Sequence, residues 1–319
     1  MNENKQLDLQ GFSGNKVEVI RSFGKTFVRK TAKNMSYNIK MKHEIEKLQQ
    51  LKIISQKNNH FKIPNINSVK TNSSGLLVYE LEFISGQSLD TELYNLSSDK
   101  IKFIAKKWGI IIEEISSISS EHPINEKQFL IKKFKELILE LKKKNNLTKF
   151  ATDLFNEYYE KIQNLQINSS DITNKSTFCH GDLALDNILI TKNNEIYLID
   201  PLHNDFESIM WDYAKILQSS MTYWNLIKYQ NFQLISNNKK IIISPNEHIS
   251  MFHKHFLQNL VNLNPSTLLL YLAATLARVA KYAKTDKQLF ALIIIINELL
   301  TDYSNGQCHL DGSLNSLRW

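Results

Sequence analysis

The sequence predicts an α+β fold in two lobes: a small β-rich one, then a larger and mostly helical one. Three observations carry that expectation. Short β-prone runs separated by turn residues crowd the first quarter of the chain. Helical spacing of apolar residues dominates from about residue 88 onward. A single hairpin pattern, 187–199, interrupts the helical part. The order divides the chain into 1–82 and 83–319, and a two-lobed chain of this kind binds its ligands in a cleft between the lobes.

Taken in order, residues 14–30 read as a β-hairpin. Val17, Val19 and Phe27 lie in two short β-prone runs, with a turn at Ser22-Phe23-Gly24. Gly11-Phe12-Ser13-Gly14 precedes the first run. A helix follows from Ser36 to Leu51, with Ile45, Leu48 and Leu51 at helical spacing. Pro64 and the Asn/Ser/Gly cluster at 71–75 punctuate strands near 66–70 and 76–82, and Gly86 ends the last one. Helices are expected over 88–95, 99–118, 126–144, 148–166, 208–230, 246–262, 266–284 and 286–303. Between them, Asn187–Thr191 and Glu195–Ile199 form strands joined by the tight-turn sequence Lys192-Asn193-Asn194.

The chain has 319 residues, 42 % hydrophobic and 22 % charged, which supplies a sizeable core and excludes long disordered stretches. Thirty-nine basic residues against 32 acidic ones leave a net charge of +7. The lysines are dispersed among acidic residues, so they read as a solvated surface and not as a nucleic-acid interface. The densest run, Lys142 to Lys144, follows an amphipathic stretch and reads as the basic end of a helix. Two scattered cysteines, Cys179 and Cys308, make neither a disulfide framework nor a zinc pattern. His248, His253 and His255 match no i, i+4 metal pair and read as surface residues of a helix. Met1 to Gln10 is polar, with no signal-peptide core. The apolar runs Leu268–Ala277 and Leu289–Ile296, closed by Arg278 and Glu298, fall short of the roughly 20 residues of a membrane span. A cytoplasmic protein is expected.

The chemistry concentrates in Phe178-Cys179-His180-Gly181-Asp182-Leu183-Ala184-Leu185-Asp186-Asn187-Ile188-Leu189-Ile190, followed by Ile196-Tyr197-Leu198-Ile199-Asp200-Pro201. Asp182, Asn187 and Asp200 can converge at one end of the hairpin. Phosphoryl transfer needs such a set. Mg²⁺ takes hard oxygen ligands and completes its shell with water and phosphate. A further carboxylate must orient the acceptor hydroxyl and take its proton.

His180-Gly181-Asp182, with Asn187 five residues past the aspartate and Ile199-Asp200 beyond, resembles the aminoglycoside phosphotransferase and choline kinase superfamily. The resemblance implies a protein-kinase-like fold, ATP and Mg²⁺ as cofactors, and a small-molecule hydroxyl as acceptor. It implies that Asp182 is the catalytic base, Asn187 and Asp200 the metal ligands, and His180 a brace for the loop. Cys179 reads as a buried small residue. Gly11, Ser13 and Gly14 are similar to the family's loop over the nucleotide, where small residues let backbone N–H groups approach phosphate. Lys30 matches the strand lysine on the α/β-phosphates. Glu44 fits best as its ion-pair partner, with Glu46 as competitor and Arg29 as the lesser substitute for Lys30. Leu76 to Gly86 resembles the inter-lobe hinge, with adenine near Glu82 and Ile84. In Trp211-Asp212-Tyr213-Ala214-Lys215-Ile216-Leu217, Asp212 is expected to hydrogen-bond the catalytic-loop backbone.

Ala184-Leu185-Asp186 departs from the commoner His-Pro-Gly, which points away from the antibiotic-modifying branch. The stretch from Asp200 through Trp211 to Ser219 looks like the small-molecule kinases of bacterial surface-polysaccharide gene clusters, which favours a sugar, polyol or related precursor. Choline, ethanolamine or an aminoglycoside is the alternative acceptor. It would need an acidic or aromatic pocket, for which Asp205, Glu207, Trp211, Tyr223 and Trp224 are candidates. A regulatory pseudokinase is the alternative of another class, and the presence of Asp182, Asn187 and Asp200 speaks against it. No Ala-Pro-Glu-like segment follows Asp200, which argues against a protein kinase.

Overall fold

The computed structural model describes residues 7–9, 15–22, 24–118, 125–145, 147–172, 176–260, 262–307, 309–311 and 314–318. The expected Gly11-Phe12-Ser13-Gly14 loop, Phe23 of the first turn and Cys308 lie outside them. The chain divides into two compact units, 1–89 with 186–203, and 90–185 with 204–319.

In the first unit, β1 (Leu7–Leu9), β2 (Lys16–Ser22), β3 (Lys25–Thr31), β4 (Ile66–Thr71) and β5 (Leu77–Glu82) form an antiparallel sheet in the order β1-β2-β3-β5-β4. Helix α1 (Met35–Asn58) follows β3. The Asn34 side chain caps it by accepting from the Tyr37 N–H, and Asn59 ends it in the left-handed region at φ 56°. The helix runs seven residues past Leu51 because the apolar spacing Met41, Ile45, Leu48, Leu51 continues to buried Ile54.

Gly86 does not end a strand. It opens β6 (Gly86–Ser88), which pairs with β7 (Ile188–Thr191), itself paired with β8 (Ile196–Leu198). A Cβ at Gly86 would stand 2.8 Å from the Ile190 carbonyl oxygen, so only glycine fits this approach. That pairing extends the first unit beyond residue 82 and draws 186–203 into it.

The second unit is helical: α2 (Leu89–Glu92) leads into it, then α3 (Ser98–Ser116), α4 (Glu126–Leu141), α5 (Lys149–Asn164), α6 (Ile209–Ser220), α7 (Trp224–Lys228), α8 (Glu247–Phe256), α9 (Pro265–Ala280) and α10 (Asp286–Ser304). The helix expected over 208–230 is broken, because Tyr223 adopts φ 51° between α6 and α7. Helices α9 and α10 are buried on nearly every face and form the centre of the unit. A capping box starts α10, with Thr285 and Gln288 each bonding the other's backbone.

One element has no counterpart in the sequence reading: β9 (Phe232–Ile235) and β10 (Lys240–Ile243) form a hairpin, and β11 (Leu317–Arg318) adds to β10 in parallel. The Glu298 carboxylate accepts from the backbone N–H groups of Asn315 and Ser316 and fixes the returning tail. Among the described residues, no helix is long and apolar enough to cross a membrane.

Leu272, fully buried in the middle of α9, reports on this core. Leu272→Ala is expected to cost about 2–5 kcal/mol in chemical denaturation. A loss below about 1 kcal/mol would place the core elsewhere.

Candidate active site

In the first unit, strand alternation points Lys30 inward, while Arg29 pairs with Glu80 at 2.6 Å. The Lys30 ammonium donates to Glu44 Oε1 and to Asp200 Oδ1, each at 2.6 Å. Tyr79 adds its hydroxyl to Glu44 Oε1 at 2.6 Å. Burial alone would favour neutral Lys30, but the carboxylates of Asp200 and Glu44 outweigh it and hold the ammonium well above the ordinary lysine range. Glu46, two residues further along the helix, is exposed.

Asp200 sits at φ 57°, a region that few residues other than glycine adopt and that aspartate tolerates. The Asn187 carbonyl accepts from the Ile199 N–H at 3.1 Å, which brings Asn187 beside the end of β8. These two side chains offer a carboxylate and an amide, all hard oxygen, the donor set that suits Mg²⁺ and not a soft metal. At the expected hinge, the Glu82 N–H donates to the Asn65 carbonyl, and the Glu82 carboxylate accepts from the Asn65 amide. The Ile84 carbonyl accepts from the Gly86 N–H at 3.0 Å.

In the second unit, the loop from His180 to Leu185 hangs on α6. Buried Asp212 accepts from the backbone N–H groups of His180 and Gly181, both at 2.7 Å. Gly181 lies at φ 82°, which a side chain would strain. The Ser219 hydroxyl takes the Leu185 N–H at 3.3 Å. His180 is wholly buried beneath the loop. Trp211 anchors α6 by donating its indole N–H to the Phe206 carbonyl and packing edge-on against Phe129 and Tyr271.

Asp182 is thereby presented next to two cations. Its Oδ1 lies 2.8 Å from the Lys215 ammonium and 2.9 Å from the Arg278 guanidinium. Partial burial opposes ionisation, but Lys215 and Arg278 outweigh it and hold the carboxyl well below the usual carboxylate range. Lys215 also donates to Gln218 Oε1. Neither cation was singled out by sequence reasoning. The signal was present: a lysine within α6, where every residue from Met210 to Ser220 is buried, needs an anionic partner.

Several expected features change place. His253 is not a surface residue but buried, bonded to the Ser220 hydroxyl and the Leu310 carbonyl, and burial lowers its pKa to about 4. The residues considered for a cationic acceptor are largely interior. Glu207 is buried and accepts from the Asn204 N–H and the Cys179 thiol. Trp211, Tyr223 and Trp224 are buried, and Asp205 pairs with Lys132 at 3.0 Å.

The sequence profile of the choline/ethanolamine kinases matches residues 74–298, which is most of the chain and includes Asp182, Asn187, Asp200 and Asp212. The chain belongs to the choline/ethanolamine kinase family. No curated protein matches it closely by sequence. Solved structures of kinase-like phosphotransferases share the family member's fold. A thermostable mutant of aminoglycoside phosphotransferase APH(4)-Ia, in ternary complex with AMP-PNP and hygromycin B, superimposes with a TM-score of 0.60 at 10 % identity, over 95 % of each chain. The wild-type aminoglycoside 2'-phosphotransferase-IIIa in its GDP complex gives 0.59 at 12 % identity, over 95 % of this chain and 94 % of that one. A fructosamine-3-kinase homologue from Haemophilus somnus 129PT gives 0.54 at 14 % identity, over 91 % and 90 %.

Two outcomes are expected of this kinase-family site. Asp212→Ala leaves two buried N–H groups unmatched and should cost about 2–4 kcal/mol in urea denaturation; a neutral result would mean the loop does not hang on Asp212. Asp182 should remain fully ionised at pH 4, where an ordinary aspartate is about half protonated. A ¹³C-carboxyl titration that shows Asp182 half titrated there would contradict the ion pairs with Lys215 and Arg278.

Proposed function

We propose that this chain moves the γ-phosphoryl group of ATP to a hydroxyl of a small molecule, namely a sugar, a polyol or a surface-polysaccharide precursor. The observation that carries the reading is Lys30 bonded at once to Glu44 and Asp200. A lysine buried this way is a permanent cation of fixed position, suited to the α/β-phosphates of a nucleotide. Family membership supports it, as do the nucleotides named for the structural relatives: AMP-PNP in one and GDP in another.

Each side chain then has a role. Lys30 holds nucleotide phosphate, and Glu44 keeps the ammonium in place. Asp200 and Asn187 would hold Mg²⁺, which neutralises phosphate charge when bound. Asp182 accepts the hydrogen bond of the acceptor hydroxyl and aims its oxygen at the γ-phosphorus. The bond from that phosphorus to the bridging oxygen breaks, ADP leaves, and the new phosphate ester forms. The hydroxyl proton passes to Asp182 late, because the transition state is loose and needs little base strength. Asp212 fixes the loop on which this alignment depends, and a misplacement of about 1 Å can cost about 100-fold in rate.

Choline or ethanolamine as acceptor is the second reading, favoured by the family match. The engagement of Glu207 and Trp211 in the interior weighs against it. A regulatory pseudokinase is disfavoured by the intact base and ligand set.

The test is Mg²⁺-dependent ADP release against a panel of sugars, polyols, choline and aminoglycosides. Asp182→Ala should lower acceptor-stimulated release by at least ~100-fold while nucleotide still binds. Lys30→Met should weaken nucleotide binding. A wild-type chain that binds no ATP would end the proposal.

A further inference from the structure

We infer that the outer face of α3 is a docking surface for a second copy of this chain, whose own α3 packs against it antiparallel across a two-fold axis at Ile110.

The inner side of α3, from Ile101 through Trp108 to Ile115, is buried. Asn259 closes over it at Gly109 and donates to the Ala105 carbonyl at 2.7 Å. The opposite side is not simply polar, as the free face of a surface helix normally is. Phe103 is 65 % exposed and Ile110 48 %, seven residues apart and so nearly in line along the helix axis. Ile118, just past the helix end, continues the row at 44 %. Single apolar residues at a surface carry no message, but a row of three on one face is apolar area that association would remove from water.

The charges beside the row identify what covers it. Lys106 precedes Ile110 by four residues and Glu113 follows it by three, so both lie on the same flank of the row, and both are exposed. Neither finds an opposite charge three or four positions away on its own helix. Lys106 has Lys102, Phe103, Gly109 and Ile110 there, and Glu113 has Gly109, Ile110, Ser116 and Ser117. Among the described residues neither makes an ion pair.

An antiparallel copy, related by a two-fold axis at Ile110, sets each residue opposite the one equally far beyond the axis on the same flank. Lys106 then meets the second copy's Glu113, and Glu113 meets its Lys106. Ile110 packs on Ile110, and Phe103 on the end at Ser117 and Ile118. One face thus supplies both halves of two ion pairs around an apolar centre, as an isologous interface requires. A parallel copy would set Lys106 against Lys106. An anionic membrane would attract Lys106 but repel Glu113. At 19 residues α3 is about 28 Å long, so the contact is at the low end of specific interfaces and the dimer is reversible, with a Kd on the order of micromolar.

The test is the mass of the full chain by sedimentation equilibrium over about 1–200 μM. The wild-type chain should pass from monomer to dimer across that range. Ile110→Asp puts like charges together on the axis and should leave a monomer throughout. Lys106→Glu and Glu113→Lys should each weaken the dimer at least ~10-fold, because each change acts at two symmetry-related places. An equimolar mixture of those two variants should dimerise again, since each chain then meets the opposite charge on the other. Mixing would not cure a substitution that had merely damaged the fold. A wild-type monomer at every concentration, a dimer indifferent to Ile110→Asp, or a mixture no more associated than its two components would overturn the inference. So would a monomer that sediments with phosphatidylglycerol vesicles, not with phosphatidylcholine ones, and is released by Phe103→Ser, which would make the same face a membrane surface.

Discussion

The buried carboxylate of Asp212 is the constraint on which the loop from His180 to Leu185 depends. A charge taken out of water must be met by donors, and here the donors are the backbone N–H groups of His180 and Gly181. That requirement fixes the loop on α6 and holds Gly181 in a left-handed turn. Asp182 is delivered to the same place every time the chain folds. The helix is itself held at both levels: Ser208 caps its start, and Trp211 locks it against Phe129 and Tyr271. The loop and the helix are joined at Asp212, and its loss would release one from the other.

The first unit solves an analogous problem with opposite sign. Lys30 is a buried cation, and Glu44 and Asp200 are its counterions from a helix and from the end of a hairpin. Two separate segments are thus drawn to one ammonium. Asp200 keeps a left-handed backbone there, a conformation that persists only where surrounding structure over-determines it. The Ile199 N–H, one residue before it, is bonded to the Asn187 carbonyl, and the close approach at Gly86 lets β6 add to the same hairpin.

Much of this was legible in the sequence because it is local. The family resemblance singled out Lys30 on its strand and Glu44 as its partner on the next helix, each from a short stretch of chain. The loop from His180 to Asn187 carried its own pattern. What was missed depends on distant partners. The hairpin 232–243 lacks Gly and Pro at its turn, where Lys239 takes the left-handed conformation, and β11 joins it from the far end of the chain. The break at Tyr223 likewise has no proline or glycine to announce it. His253 looked like a surface residue because its partners, Ser220 and Leu310, are 33 and 57 positions away. Arg278 looked like the polar stop of an apolar run, and only packing brings it to Asp182, 96 positions earlier.

The ion pairs of Asp182 bear on how the chemistry can work. A carboxylate held below its usual pKa is a weak base, so in the proposed transfer proton abstraction would not drive the step. Phosphoryl transfer does not ask for that, since the acceptor oxygen needs alignment more than deprotonation in a loose transition state. Lys215 and Arg278 therefore favour an Asp182 that is always ionised and always ready to accept a hydroxyl hydrogen bond. They also tie α6 and α9 to the loop, since both cations reach the same carboxylate oxygen. The ionisation of Asp182 and the position of its loop are in this chain two consequences of one arrangement of charge.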